Sequence, residues 1–135
     1  MSDFFNLIGH DNKKPAKAAQ PTAKKKKKTK GPEATILDAI VRWLKANGAI
    51  ALRVNSGYLR DAQGHVFNGA PAGTSDIVCC WRGRFVAIEV KAGNNQPTEK
   101  QKAFLNKVIA AGGIALVANS LELVKVALDK VPPLG

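Results

Sequence analysis

Three residues of this sequence, Asp76, Glu89 and Lys91, carry the strongest chemical signal by type and spacing. Two carboxylates beside an ammonium group can hold a hard divalent cation and stabilise developing negative charge. The runs Asp76–Trp81 and Arg84–Lys91 are separated only by Arg82-Gly83, which predicts a two-residue β-hairpin. With Trp81 paired to Arg84, Asp76 falls opposite Glu89, where facing Cβ atoms stand about 4.5–5.5 Å apart. Lys91 then points to the same face as Glu89, about 7 Å along the strand. Arg-Gly is not the favoured Asn-Gly turn, and a longer loop would shift this register. Like charges this close repel and resist burial, a conflict that a divalent cation resolves; oxygen ligands at about 2.0–2.1 Å suit Mg2+. A Glu-x-Lys triplet alone is common. Gly73-Thr74-Ser75-Asp76 followed by Glu89-Val90-Lys91 and a Gln-bearing helix is far more specific.

The elements that must position these groups are legible around them. On the hairpin, Asp76, Val78 and Cys80 share a face with Phe85, Ala87 and Glu89, while Ile77, Cys79 and Trp81 share the other with Val86, Ile88 and Val90. A strand pair apolar on both faces predicts helices covering both. Pro32 and Glu33 suit the first turn of a helix whose apolar residues Ile36, Leu37, Ile40, Val41 and Leu44 recur at helical spacing, closed by Asn47-Gly48. Ala49 to Val54 reads as a strand. Residues 55–74 read as a long Gly-rich loop with a turn at Asp61–Gly64, and a loop of that length in a small domain usually carries function. Thr98 with Gln101 forms a capping box for a second helix, with Ala103, Phe104, Val108 and Ile109 on its apolar face. Gly112-Gly113 ends it, Ile114 to Ala118 is a short strand, and Ser120 caps a last helix through about Asp129. The order is α-β-β-β-α-β-α, an α/β fold with a mixed sheet flanked by helices.

Composition sets the partner class. The chain has 135 residues and a formal net charge of +11. Residues 1–32 hold nine lysines against two aspartates, and the remainder holds twelve basic against eight acidic residues. Residues 1–31 read as a disordered basic tail, with Lys24 to Lys28 as its densest run, and 32–135 as one folded domain. A polyanion is the natural partner of such a chain, and the tail suits a phosphate tether. Phe4, Phe5, Leu7 and Ile8 could form a docking peptide for a protein groove. No stretch approaches a membrane span, and the opening residues lack the basic flank of a signal peptide, so a cytoplasmic location is expected. Cys79 and Cys80 are adjacent in a strand and read as buried free thiols.

Taken together, these residues resemble the PD-(D/E)xK nuclease superfamily. Within it, Gly73-Thr-Ser-Asp76-Ile-Val, Ala87-Ile-Glu89-Val-Lys91 and Thr98-Glu-Lys-Gln101 are similar to VRR-NUC (virus-type replication–repair nuclease) domains. The resemblance runs from about Glu33 to about Val124, and Ser75 stands where the superfamily name has proline. It implies a restriction-endonuclease-like α-β-β-β-α-β core and a Mg2+- or Mn2+-dependent endonuclease. Asp76 and Glu89 would ligate the metal with the Val90 carbonyl, and Glu33 would reach the metal shell from the first helix. Lys91 would orient or deprotonate the attacking water, and Gln101 would contact the site or the substrate backbone. Stand-alone members imply a homodimer acting on branched DNA such as a four-way junction, in a bacterial host cell if the source is a phage. Arg53, Asn55, Tyr58, Arg60, Lys100 and Lys102 are candidates for contact with DNA, Tyr58 by stacking. Two alternatives stay open: a nucleic-acid-binding module with a degenerate site, and a sequence-specific restriction-type nuclease.

Overall fold

A computed structural model describes residues 31–134. Most of the basic tail, and with it the Phe4–Ile8 segment, lies outside the described residues. Pro32 at the first helical position and Glu33 in the first turn begin α1 (Pro32–Ala46). It leads into β1 (Ile50–Arg53), then β2 (Tyr58–Arg60) and β3 (Val66–Asn68). The central hairpin is β4 (Ile77–Trp81) and β5 (Arg84–Val90). There follow α2 (Glu99–Ala110), β6 (Ile114–Ala118) and α3 (Leu121–Asp129).

The main sheet has the order β1-β4-β5-β6. Both pairings of β4 are antiparallel, whereas β5 and β6 run parallel, joined by α2 as a crossover. Trp81 pairs with Arg84 and Ile77 with Ile88, the register expected from a two-residue turn. Arg82 and Gly83 both have positive φ, at 51° and 82°, as a type I′ turn requires. Glycine adopts that conformation freely and arginine does not. Arg82 is held there by its guanidinium, which donates to the Val131 carbonyl at 2.7 Å and lies 5.1 Å over the Trp81 ring.

The principal core lies on one face of the sheet. Ile77, Cys79, Trp81, Val86, Ile88 and Val90 pack there against Ile40, Val41 and Leu44 of α1 and Val124 and Leu128 of α3. Trp81 stacks on Trp43 with ring centroids 5.2 Å apart, and its indole N–H donates to the Leu128 carbonyl. The fully buried Ile40, Leu44, Ile77, Ile88 and Leu128 each contribute about 1.5–3 kcal/mol of burial free energy. On the opposite face, Leu105 and Val108 of α2 pack on Ala87, with Phe104 and Ala115 at the margin.

Four expectations need correction. The stretch 55–74 is not a featureless loop, because β2 and β3 form a separate two-stranded ribbon around the Asp61–Gly64 turn. Asp61 organises that turn: its carboxylate accepts from the Gln63 and His65 amides and meets the His65 ring at 2.9 Å. Cover of the second sheet face is only partial, since α2 lies over β5 and β6 and leaves Ile50, Leu52 and Phe85 exposed. On α2 itself Leu105 rather than Ile109 faces the sheet, and Ile109 is exposed. Only one cysteine is buried. Cys79 is in the core, where burial and the neighbouring Cys80 push its thiol up to about 11, while Cys80 is exposed on the open face. Among the described residues no helix is long and apolar enough to cross a membrane.

Candidate active site

The end of the β4–β5 hairpin, where the strands leave the core, brings the acidic pair together. Asp76 immediately precedes β4, and extending the register by one pair sets it opposite Glu89. The Asp76 carboxylate accepts from the Val90 amide at 2.8 Å, and its carbonyl accepts from the Val54 amide at 2.8 Å. Its backbone and one side-chain oxygen are thus tied to both neighbouring strands. Ser75, one residue before Asp76, is buried and donates its hydroxyl to the Ile77 carbonyl.

Glu89 is only 2% exposed, and its Oε2 has no hydrogen-bond partner among the described residues. A buried carboxylate oxygen without a partner is costly, so it signals a missing ligand or proton. Burial pushes the Glu89 carboxyl up to about 7; the Asp76 charge adds to the rise, and Lys91 opposes it. The Lys91 ammonium lies 3.6 Å from Glu89 Oε1 with its side chain 16% exposed. The arrangement therefore has two convergent carboxylates, one starved of partners, and a largely desolvated cation beside them. This donor set fits a hard divalent ion, which Asp76 and Glu89 would hold.

The loop leading to Asp76 is fixed by a close approach. At Gly73 φ is +91°, and a Cβ there would sit 2.7 Å from the Lys100 carbonyl oxygen and 2.8 Å from its carbonyl carbon. The loop thus lies against the first turn of α2, linking the acidic pair to that helix. Gly73→Ala should cost about 2–3 kcal/mol through the strained φ and the backbone clash. At this domain size that lowers Tm by on the order of 10 °C. A thermal melt matching the parent would show that the approach is looser than described.

No protein-family model matches the sequence, and no curated protein does. Among solved structures, a chain described as "VRR_NUC domain" matches with probability 1.00 and a TM-score of 0.58. The match covers 76% of this chain and 100% of the other, at 19% sequence identity. This chain has the fold of a VRR-NUC domain.

Within that VRR-NUC fold, the remaining candidates separate. Glu33 does not join the acidic pair: its Oε1 accepts from the Ala92 amide at 3.1 Å, and among the described residues no three His, Cys, Asp or Glu side chains converge on a metal position. It braces the backbone just beyond Lys91. Gln101 completes the capping box, its side-chain oxygen accepting from the Thr98 amide at 2.8 Å. Arg53 is paired with Asp38 of α1 at 3.0 Å, away from the acidic face. Lys102 meets Glu99 at 3.4 Å on an exposed helix face. Asn55 is exposed and engages the ribbon through its carbonyl, which accepts from the Ala70 amide. Tyr58 and Arg60 are exposed on the β2–β3 ribbon, and Lys100 is exposed at the start of α2. One residue was missed by sequence reasoning: Lys107 lines the same cleft as Lys100, with Ala70–Ala72 as the facing wall. The seven-residue interval, two helical turns, was the available signal.

Proposed function

We propose that this chain is a metal-dependent endonuclease that hydrolyses DNA phosphodiester bonds. The observation that carries the reading is the buried Glu89 carboxylate opposite Asp76, one oxygen of which has no hydrogen-bond partner among the described residues, with the Lys91 ammonium alongside. A Mg2+ or Mn2+ ion held by Asp76, Glu89 and the Val90 carbonyl would supply Lewis-acid polarisation of the phosphate and an acidified water. Lys91 provides a fixed positive charge where the non-bridging oxygens gain negative charge, in a setting dry enough for that charge to count. Glu89 holds Lys91 in place through the 3.6 Å ion pair, and Asp76 is oriented by the Val90 amide. Glu33, bonded to Ala92, fixes the chain that follows Lys91.

The surface supports an anionic substrate. The folded part carries twelve basic against eight acidic residues, and Lys100, Lys107 and Arg60 make no ion pair among the described residues. Branched DNA, such as a four-way junction, is the substrate we favour, cut by two copies related by a two-fold axis. The exposed apolar residues Ile50, Leu52 and Phe85 on the open sheet face are compatible with a second copy there. The test is a cleavage panel of linear duplex, flap, splayed arm and four-way junction, each with Mg2+, with Mn2+ and with EDTA. Metal-dependent cutting, strongest on the junction, is expected. Binding without cutting on every probe would instead identify a nucleic-acid-binding module, and discrete fragments from linear duplex a restriction-type enzyme.

A further inference from the structure

The ribbon is the part of the molecule that the proposed chemistry leaves unexplained. An isolated two-stranded ribbon is marginally stable in water, and this one carries large side chains on a face that nothing covers. Its register sets Tyr58 opposite Asn68 and Arg60 opposite Val66, so these four side chains share one face. Tyr58 is 82% exposed and Val66 53%. No acid lies on that face, and Arg60 makes no ion pair among the described residues. The one acid beside it in sequence, Asp61, is engaged by His65 and the turn amides.

The ribbon is also stitched to the acidic pair. The Val54 amide donates to the Asp76 carbonyl, Ala70 to Asn55, Gly57 to Ala70 and Gly69 to Gly57, all at 2.8–3.0 Å. Tyr58 is thereby held in a fixed relation to Asp76 by a chain of backbone bonds. A cavity of ≈ 340 Å³ opens beside Tyr58 and Asn68 and is walled by Ala70, Pro71 and Ala72. The other side of that wall faces the cleft of ≈ 550 Å³ lined by Lys100 and Lys107. An exposed aromatic ring with an arginine next to it, adjoining a lysine-lined cleft, is the combination that holds a nucleic-acid strand by stacking and phosphate contact.

We propose that this face of the ribbon is a platform for an unpaired nucleotide next to the scissile phosphate, with Tyr58 beneath the base and Arg60 at its phosphate. The inference rests on the nuclease reading and adds the feature recognised in the substrate. In a continuous duplex the base faces are covered by their neighbours; at a branch or splayed end a base face is free to stack on tyrosine. The ribbon therefore selects DNA that opens at the point of cutting.

The experiment uses the full chain carrying Glu89→Gln, so that binding is measured without cleavage. Two probes of equal length are compared in Mg2+: a fully paired duplex, and a splayed-arm duplex with 2-aminopurine at the first unpaired position. Adding Tyr58→Ala should weaken binding of the splayed arm about ten- to hundredfold, and at least tenfold more than binding of the paired probe. Stacking should quench 2-aminopurine fluorescence. The quench should vanish with Tyr58→Ala and return with Tyr58→Trp, a rescue that a merely structural tyrosine would not show. Equal weakening on both probes, no weakening, or no quench at the first unpaired base would each overturn the proposal. Unchanged binding of both probes would point to a protein on this face. The binding and quenching readouts do not need cutting, so a parent chain that cleaves nothing, with a Glu89→Gln chain that binds as described, would sink the nuclease reading and leave the stacking face standing.

Discussion

Glu89→Gln will abolish metal-dependent cleavage and at the same time stabilise the metal-free protein at alkaline pH. Both effects follow from one buried carboxyl. In the folded chain Glu89 is pushed up to about 7 from an ordinary value of 4.5, chiefly by burial and then by Asp76. A group whose folded value lies above its unfolded value favours folding fully below the unfolded value and loses that contribution as pH rises through the folded one. The metal-free protein should therefore weaken between about pH 4.5 and pH 7. The interval from 4.5 to about 7 corresponds to about 3 kcal/mol. Glutamine keeps the shape without the charge and escapes this loss. Denaturant unfolding in EDTA at pH 5 and pH 8 should show the variant gaining on the parent at pH 8 only. Mg2+ should then restore the parent at pH 8 and do little for the variant, because ion binding favours the folded state only where the ligand is intact. Parallel stability profiles for the two proteins would mean that the Glu89 carboxyl is not held uncomfortably in the fold.

Lys91→Ala should lower kcat by about 10²–10³-fold or more while leaving the fold and DNA affinity in place. The side chain is 16% exposed and its ammonium is 3.6 Å from Glu89. A charge held so close, with little water around it, acts on the transition state far more than a solvated surface lysine can. The same substitution removes the cation that opposes the rise at Glu89, so the carboxyl is displaced further upward and a metal ion would be held less well at low pH. Residual activity should therefore shift toward higher pH, which loss of a simple phosphate contact would not cause. Lys91→Arg should recover only part of the rate, because a planar guanidinium cannot occupy the position of a compact ammonium. Normal turnover by the alanine variant would remove the role assigned to this residue.

What the sequence conveyed, and what it did not, follows from the physics of particular residues. The β4–β5 register was readable because two runs of strand-forming residues flank a turn of only two, so no other pairing keeps both intact. The helix starts were readable because Pro32, Thr98 and Ser120 each satisfy a local rule. The β2–β3 ribbon was hidden because its strands have three residues each and no buried face to impose an alternating pattern. Partial cover of the second sheet face was equally hidden: Leu52, Val78 and Phe85 are apolar whether or not a helix lies over them. Glu33 and Gln101 show the limit of motif reasoning, since the same residue types that ligate or contact substrate also cap backbone, and here each accepts from a backbone amide. Arg53 belongs to the same class of ambiguity, for here it pairs with Asp38 fifteen residues earlier in the chain.

The parallel pairing of β5 with β6 has a consequence for the order in which the site is assembled. Glu89 lies opposite Val117 and Val90 opposite Ala118, and the Lys91 amide donates to the Ala118 carbonyl. The strand that bears the acid and the lysine is thus clamped on its far side by a segment synthesised only after α2. Until that late segment has left the ribosome and docked, one whole edge of the strand lacks its partner. The strand that carries Glu89 and Lys91 is therefore fully paired only once β6 has followed α2 out of the ribosome.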